Sequence, residues 1–530
     1  MIPKPELDWF AILPELITAV GAMVVLLVGM GRKQWNRVAS IALTSATLIA
    51  TFVFVLMEFN VSRYGAFAGL IDSDELANAG RLIAVISGLV AVGLAVRGRA
   101  NDGRHGEFHA LLLTAVCGMS LFAASGSFVS LFIGLELFSI SLYVLCALDA
   151  DRSASLESGL KYLIIGGLSS AVLLYGTALV YGATGSFDLA VIGDSDSRGI
   201  LLFAGAALVL GGLAFKIGAA PMHWWTPDVY EGAGTPVTAF MSTATKAVGF
   251  LVLARVLVTA FGAESSTWVP IVAGLAVASI VIGNAGALGQ LHLKRMLAYS
   301  SIAQAGYLLC GIVGWDTTGI PALVYALIVY TAMTLGAFAY VVVLEREIGR
   351  DATFADLAGR GWASEGRSIG HALPAFGLVV CSLSLAGIPP TAGFFSKFGL
   401  FDGAVESGYA WLAVVGALGS VVSLGYYLRV IVELYMREPN AARAAAAAVN
   451  LPAASTGDHR WSAGTQLPVV SGLAVALAGA TLLLAFVPNK VFELGCDVKA
   501  NLAQRGDDCT NVDAAAAPGP VAQTAPAAAE

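Results

Sequence analysis

Fourteen apolar stretches, each about the length of a membrane-crossing helix, dominate the sequence. They fall near 10–30, 38–57, 77–96, 109–125, 127–148, 157–183, 199–225, 235–262, 267–290, 293–314, 320–346, 371–401, 410–436 and 467–488. A spanning helix needs about 20 mainly apolar residues, because lipid offers the backbone no hydrogen-bond partner. At 530 residues the chain has room for three or four soluble domains of about 100–200 residues. Its composition excludes them: 57% of residues are hydrophobic and only 12% charged, against about 25% charged in soluble chains. The fold class expected is an all-α polytopic membrane protein of about fourteen transmembrane helices. The first stretch, with Lys4 ahead of it, looks like a signal peptide, but Pro14 and Glu15 interrupt it and thirteen spans follow. It reads as a retained first helix.

Basic residues orient the series. Alternating the loops puts Arg32, Lys33, Arg37, Arg97, Arg99, Arg104, Arg152, Lys294, Arg295, Arg346, Arg350, Arg360, Arg367, Arg437, Arg443 and Arg460 on one side. Lys4, Arg63, Arg198, Lys490, Lys499 and Arg505 fall on the other. Basic loops stay in the cytoplasm, so both termini are expected outside. The stretches 347–370, 437–466 and the tail after 488 are too short for a further domain, and Val512–Glu530, rich in Ala and Pro, is expected to be disordered.

The sequence has no G-x-G-x-x-G turn, no Walker motif and no C-x-x-C pair, and its six histidines form no metal-ligand pattern. No metal site is expected, and no cofactor is expected to be bound by this chain. Cys117, Cys146, Cys310 and Cys381 lie singly within spans, as small apolar residues. Cys496 and Cys509 lie in the outer tail with twelve residues between them. They are either a disulfide, which survives outside the cytoplasm, or two unpaired thiols.

An ionisable residue at membrane depth costs about 2.5–3.5 kcal/mol on insertion scales and needs a reason. Snorkelling to the headgroups supplies one for Arg81, Glu157 and Glu433, near span ends; Glu15 is left unassigned. Glu136, Lys216, Lys246 and Lys397 lie too deep for it and are the candidate proton-transfer residues. Lys161, Arg255, His223, Lys294 and Tyr299 are weaker candidates. Pro221 follows Lys216 by five residues, and Pro389 and Pro390 precede Lys397. Proline breaks a helix, and interrupted spans in corresponding halves point to a transport site at the interface of inverted repeats. The breaks fall in spans seven and twelve. They divide the chain into three leading helices (1–108), two five-helix units (109–262 and 267–436), a last span (467–488) and a tail (489–530). A lysine kept from water releases its proton readily and a nearby carboxylate retains it, so such a pair can load and unload a proton.

FKIGAAPMHWWTPDVYEGAGTPV from Phe215 to Val237, KRMLAYSSIAQAGY from Lys294 to Tyr307 and LSLAGIPPTAGFFSKF from Leu383 to Phe398 resemble signatures of the antiporter-like membrane subunits of respiratory complex I, most of all the subunit N branch of bacterial NADH–quinone oxidoreductases. The resemblance is specific from about residue 130 to 400; elsewhere it extends only to hydropathy. It implies two inverted five-helix repeats with broken helices seven and twelve, and proton pumping in a bacterial plasma membrane. By resemblance Glu136 modulates Lys216, Lys246 is the connecting lysine, and Lys397 stands on the side where protons exit. Lys161 and His223 match further family positions, and Lys294 and Tyr299 remain possible members of the path. NADH, FMN, iron–sulfur clusters and quinone are implied for partner subunits. The other partners implied are the remaining membrane-arm subunits, a second antiporter-like subunit among them, and the bilayer; no nucleic acid is expected. Gln304 departs from the pattern: relatives often carry a histidine there, and glutamine carries no proton. The alternatives are a subunit of a multi-subunit Na⁺/H⁺ antiporter, with the same lysines and breaks, and a membrane scaffold.

Overall fold

The computed structural model describes residues 7–31, 33–96, 104–197, 199–362, 369–438 and 467–503. Among these residues, seventeen helices of eight or more residues carry the fold. They are α1 (Leu13–Gly29), α2 (Lys33–Met57), α3 (Glu75–Ala95), α4 (His105–Ala123), α5 (Phe128–Cys146), α6 (Ser153–Thr184), α7 (Ile200–Ile217), α8 (Trp225–Gly232) and α9 (Thr235–Ala260). The series continues with α10 (Ser265–Leu288), α11 (Leu293–Val313), α12 (Gly319–Ile348), α13 (Ile369–Ala386), α14 (Ala392–Glu406), α15 (Ala410–Met436), α16 (Leu467–Leu484) and α17 (Pro488–Ala503). Among the described residues, eleven helices are long and apolar enough to cross a membrane, and three shorter apolar ones, within α1, α13 and α16, complete the fourteen expected.

Burial sorts these helices. The apolar window of α9 is wholly buried, and those of α11 and α12 are 94% and 89% buried; in α2, α6 and α15 the figure is 28–33%. A helix that is apolar all round and lies inside the bundle can place a polar side chain in the centre, whereas the peripheral helices turn their leucines and valines outward to lipid. The helix pairs α10–α11, α4–α5 and α6–α7 pack most extensively. Between α4 and α5 the backbones touch: a β-carbon on Gly118 would sit 2.5 Å from the Phe138 nitrogen, and one on Gly134 2.6 Å from the Phe122 nitrogen. Small residues permit such approaches, which replace the hydrophobic drive that lipid cannot supply.

The seventh and twelfth spans are both broken. Gly218, at φ +67°, ends α7, and Gly387, at φ +82°, ends α13. A left-handed glycine terminates a helix without a Cβ clash, and Pro221 and Pro389–Pro390 prevent the helix from resuming at once. The sequence stretch 199–225 is thus a helix to Ile217, a turn, and a second short helix, α8.

Two elements were not expected. A two-stranded ribbon, β1 (Arg63–Gly65) with β2 (Ile71–Ser73), joins α2 to α3. The first part of the tail is the amphipathic helix α17, lying against α12. Val498 and Leu502 are buried, and Lys499 Nζ donates to the Asp316 and Thr317 carbonyls at 3.0 and 2.6 Å. Cys496 lies half-buried on this helix; Cys509 and Val512–Glu530 lie outside the described residues.

Candidate functional site

Three buried lysines mark a polar axis through the apolar bundle. Lys216, 3% exposed, ends α7, and its Nζ donates to Ser139 Oγ on α5 at 2.8 Å. Phe138, Tyr143 and Phe215 surround the ammonium, with ring centroids 5.6–5.9 Å away. Glu136 stands three residues before Ser139 on the same helix. No ion pair joins it to Lys216 among the described residues, and its Oε1 is buried without a hydrogen-bond partner.

Lys246, 2% exposed, lies on α9 directly after a π-turn at Met241–Thr245. Its Nζ donates to the Ser301 carbonyl of α11 and stands 3.9 Å from where a β-carbon on Gly218 would be. The amine therefore faces the first helix break. Thr226 Oγ1 lies 3.1 Å from the same point, buried and unpartnered.

Lys397, on α14, folds back over the second break. Its Nζ donates to the carbonyl of Ala386, the last residue of α13, and to Ser420 Oγ on α15, both at 3.1 Å, and sits 4.3 Å from the Tyr307 ring centroid. The C-terminal end of a helix carries partial negative charge, so the broken ends of α7 and α13 offer these cations a neutral but polarised environment.

Hydroxyls and one amide lie between the second and third lysines. Ser300 Oγ, next to Ser301, hydrogen-bonds Tyr427 Oη. Gln304, one turn further along α11, donates through Nε2 to the Leu385 carbonyl at 2.8 Å. That carbonyl adjoins the one holding Lys397. Gln304 thus occupies the gap between Lys246 and Lys397. Tyr307, Asn284 and Tyr426 extend the polar lining, through bonds of 3.0 Å each.

The weaker candidates separate. Lys161 is 39% exposed and ion-paired to Glu157 at 2.6 Å and Asp228 at 2.8 Å. Arg295 links Asp228 to Glu231, at 2.9 and 2.8 Å, so Lys161 belongs to a brace tying α6 and α11 to α8. His223 lies in the first break, half-buried, with Nδ1 unpartnered. Tyr299 packs its ring on Gly286 of α10. Lys294, 2% exposed, stands 3.2 Å from Asp351 and 4.0 Å from Glu345. Outside the spans, Asp351 is pushed up by burial, yet the Lys294 and Arg152 charges outweigh this and hold its carboxyl below the usual range.

The snorkelling expected for Arg81 and Glu433 is overturned. Arg81 is 1% exposed and held by Glu15 at 2.8 Å, Ser73 at 2.7 Å and the Ala11 carbonyl at 2.8 Å. Its carboxylate partner comes from a helix 66 residues away, so the guanidinium gains more by facing inward. Glu433 is buried and salt-bridged to Arg437 at 3.2 Å, beneath the 359–361 backbone that hydrogen-bonds the end of α15. Glu157 lies at the surface as expected. Arg255 is likewise structural in setting, 2.6 Å from Asp74 and 3.8 Å from Asp72.

Residues 125–423, more than half of the chain, match the family described as NADH:quinone oxidoreductase/Mrp antiporter, TM. The chain belongs to this family. Subunit N of NADH-quinone oxidoreductase from Trichlorobacter lovleyi is 40% identical over 434 residues, covering 80% of this chain and 87% of the relative. NAD(P)H-quinone oxidoreductase subunit 2 from a Synechocystis species is 37% identical over 504 residues, 93% of each chain. A chain of respiratory complex I from Thermus thermophilus superposes with a TM-score of 0.74 at 32% identity, covering 90% of this chain and 98% of its own. A chain of the Mrp complex from a Dietzia species shares the fold, with a TM-score of 0.77 at 22% identity and coverage of 93% and 98%. The family match takes in Glu136, all three axis lysines and both broken spans of this NADH:quinone oxidoreductase/Mrp antiporter chain; it leaves out α1–α4, α16 and α17.

Sequence reasoning missed Ser139, Ser301, Tyr307, Ser420 and Tyr427, which hold or connect the lysines. Hydroxyl residues are common in membrane helices, and two of the decisive acceptors are backbone carbonyls, which have no sequence signature. Glu345 was missed because it lies within two residues of the basic end of α12.

Proposed function

We propose that this chain is the proton-translocating membrane subunit of NADH-quinone oxidoreductase, coupling electron transfer from NADH to quinone in partner subunits to proton pumping. It carries no redox centre of its own and binds no cofactor; NADH, FMN, iron–sulfur clusters and quinone belong to those partners. Other membrane-arm subunits, including a second antiporter-like one, flank it in the bacterial plasma membrane. Sixteen basic residues on one side against six on the other support a cytoplasmic face at that side and both termini outside. Spans four to eight and nine to thirteen act as two inverted repeats.

The observation that carries this reading is the set of three buried lysines held by hydroxyls, carbonyls and aromatic rings, with no ion-paired carboxylate among the described residues. A buried lysine without an ion-paired carboxylate gives up its proton more readily, since a nearby carboxylate favours the charged form. Lys216 loads the proton under the influence of Glu136, Lys246 passes it along the axis, and Lys397 releases it toward the outside. Gln304 bridges the last two through hydrogen bonds and water. His223 and Lys294 line access routes, Lys161 supports the break, and Tyr299 packs the helix that bears Ser301. Moving one charge against 100 mV costs about 2.3 kcal/mol, within reach of such electrostatic switching. Identities of 40% to a subunit N and 32% to one chain of respiratory complex I, against 22% to the Mrp chain, favour this reading over a Na⁺/H⁺ antiporter.

The test is proton uptake by inverted membrane vesicles carrying Lys216→Ala or Lys397→Ala. The expected result is loss of uptake with the complex assembled; undiminished uptake at normal assembly overturns the assignment.

A further inference from the structure

We propose that Glu345, at the end of α12, is a proton-carrying residue that feeds the axis from the side bearing Arg152 and Lys294. The proposal rests on the proton-pumping reading above. Glu345 is 6% exposed, at the foot of the buried core. One carboxylate oxygen, Oε2, accepts a hydrogen bond from Thr235 Oγ1, in the first turn of α9. The other, Oε1, is buried with no hydrogen-bond partner and stands 4.0 Å from Lys294 Nζ. A buried carboxylate oxygen left without a partner costs about 1–3 kcal/mol or more, so a purely structural ion pair would have closed this gap.

The surroundings form a graded path from the surface inward. The segment after α12 is pinned to the start of α11: Leu293 N–H donates to the Ala352 carbonyl at 3.1 Å, and Phe354 N–H to the Leu291 carbonyl at 3.0 Å. This pinning brings Asp351, whose side chain is 27% exposed, to 3.2 Å from Lys294, while Arg152 holds the other Asp351 oxygen at 2.7 Å. Charge thus runs from the half-exposed Arg152–Asp351 pair to the buried Lys294 and then to the buried Glu345. Inward of Glu345, α9 packs along α12 from Thr235 to Lys246, whose ammonium reaches across to the Ser301 carbonyl of α11. The eleven residues from Thr235 to Lys246 span about 16 Å at 1.5 Å per residue. Thr238, Ser242, Ser301, Tyr330 and Thr334 are all buried along this stretch of α9, α11 and α12.

The step balances as a simple proton transfer. The Lys294 ammonium gives its proton to Glu345 Oε1, leaving an amine and a carboxylic acid. Water at the surface beside the Arg152–Asp351 pair restores the ammonium, with Asp351 keeping its charge. The acid then passes its proton through the hydroxyl-lined stretch and its water to Lys246, regenerating the carboxylate.

The experiment compares proton uptake with NADH:quinone turnover in inverted vesicles containing the whole complex, with assembly followed on native gels. Glu345→Gln keeps the size of the side chain and an acceptor for Thr235. It is expected to reduce proton uptake by about tenfold or more, as loss of a positioned acid–base group does, and Glu345→Asp is expected to restore part of it. Lys294→Met combined with Glu345→Gln removes the charge pair as a unit and is expected to remain as low as Glu345→Gln; it also decides the matter should the single variant fail to assemble. Normal uptake in Glu345→Gln, or recovery in the double variant, overturns the proposal, because Glu345 would then serve only to neutralise Lys294. Lys216→Met in the same membranes separates the two levels. If it blocks uptake while Glu345→Gln pumps normally, only the role of Glu345 falls; if neither blocks uptake, the lysine axis itself falls.

Discussion

Arg81 and Arg255 are buried against carboxylates, at 2.8 Å from Glu15 and 2.6 Å from Asp74, whereas the equally buried Lys216, Lys246 and Lys397 touch only hydroxyls, carbonyls and rings. The two regions solve the same electrostatic problem differently. At the ribbon end of α1, α3 and α9 the cations are guanidiniums, which never release a proton, and full charges neutralise them. Along the axis the cations are ammoniums, which do release one, and only dipoles steady them. Neutralising a charge with a fixed opposite charge makes structure. Steadying it with dipoles leaves its protonation free to change.

The contrast can be broken from either side. The largest effect is expected for Arg81→Met, which strands Glu15 without its partner: about 3–5 kcal/mol of destabilisation, read as loss of assembled subunit, with Glu15→Gln in the same chain restoring much of it. Lys397→Arg keeps the buried charge but cannot deprotonate, so proton uptake is expected to fall by about tenfold or more while thermal stability changes little. An arginine that supported uptake would erase the distinction between the two regions. Glu136→Gln is expected to lower uptake severalfold, less than Lys216→Met, and the two together should do no more than Lys216→Met alone; additive losses, readable in a double-mutant cycle, would mean that Glu136 acts elsewhere.

The smallest effect concerns Asp351. Its carboxyl is held below the usual range in the folded state, so its contribution is present above the unfolded value of about 3.9 and disappears as pH falls through the folded one. Asp351→Asn is therefore expected to cost about 1 kcal/mol or less near pH 7, with the difference from wild type in thermal unfolding vanishing in acid. A difference that persists in acid would show that Asp351 acts through something other than its charge.

Depth in an apolar run singled out Glu136, Lys216, Lys246 and Lys397 as candidates, because an ion in lipid stands out against its neighbours, and the three lysines are indeed buried. Prolines 221, 389 and 390 located the breaks for the same local reason. Arg81 was misread because its partner Glu15 lies on another helix, and pairings of that range leave no periodic trace. Helix α17 escaped notice because its apolar residues are too sparse for a span yet sufficient to cover α12. The contacts that hold Lys246, Gln304 and Lys397 were invisible because they use the Ser301, Leu385 and Ala386 carbonyls, groups every residue possesses.

Gly118 and Gly134 bear on this in one further respect. With the α4 and α5 backbones already in contact there, α5 has no slack toward α4 at the height of Glu136 and Ser139. One side of the gap between Glu136 and Lys216 is therefore clamped. Adjusting that gap falls to side-chain torsions or to the free end of α7 beside Gly218, so the mobile jaw of this vice is the broken helix and the fixed jaw is the intact one.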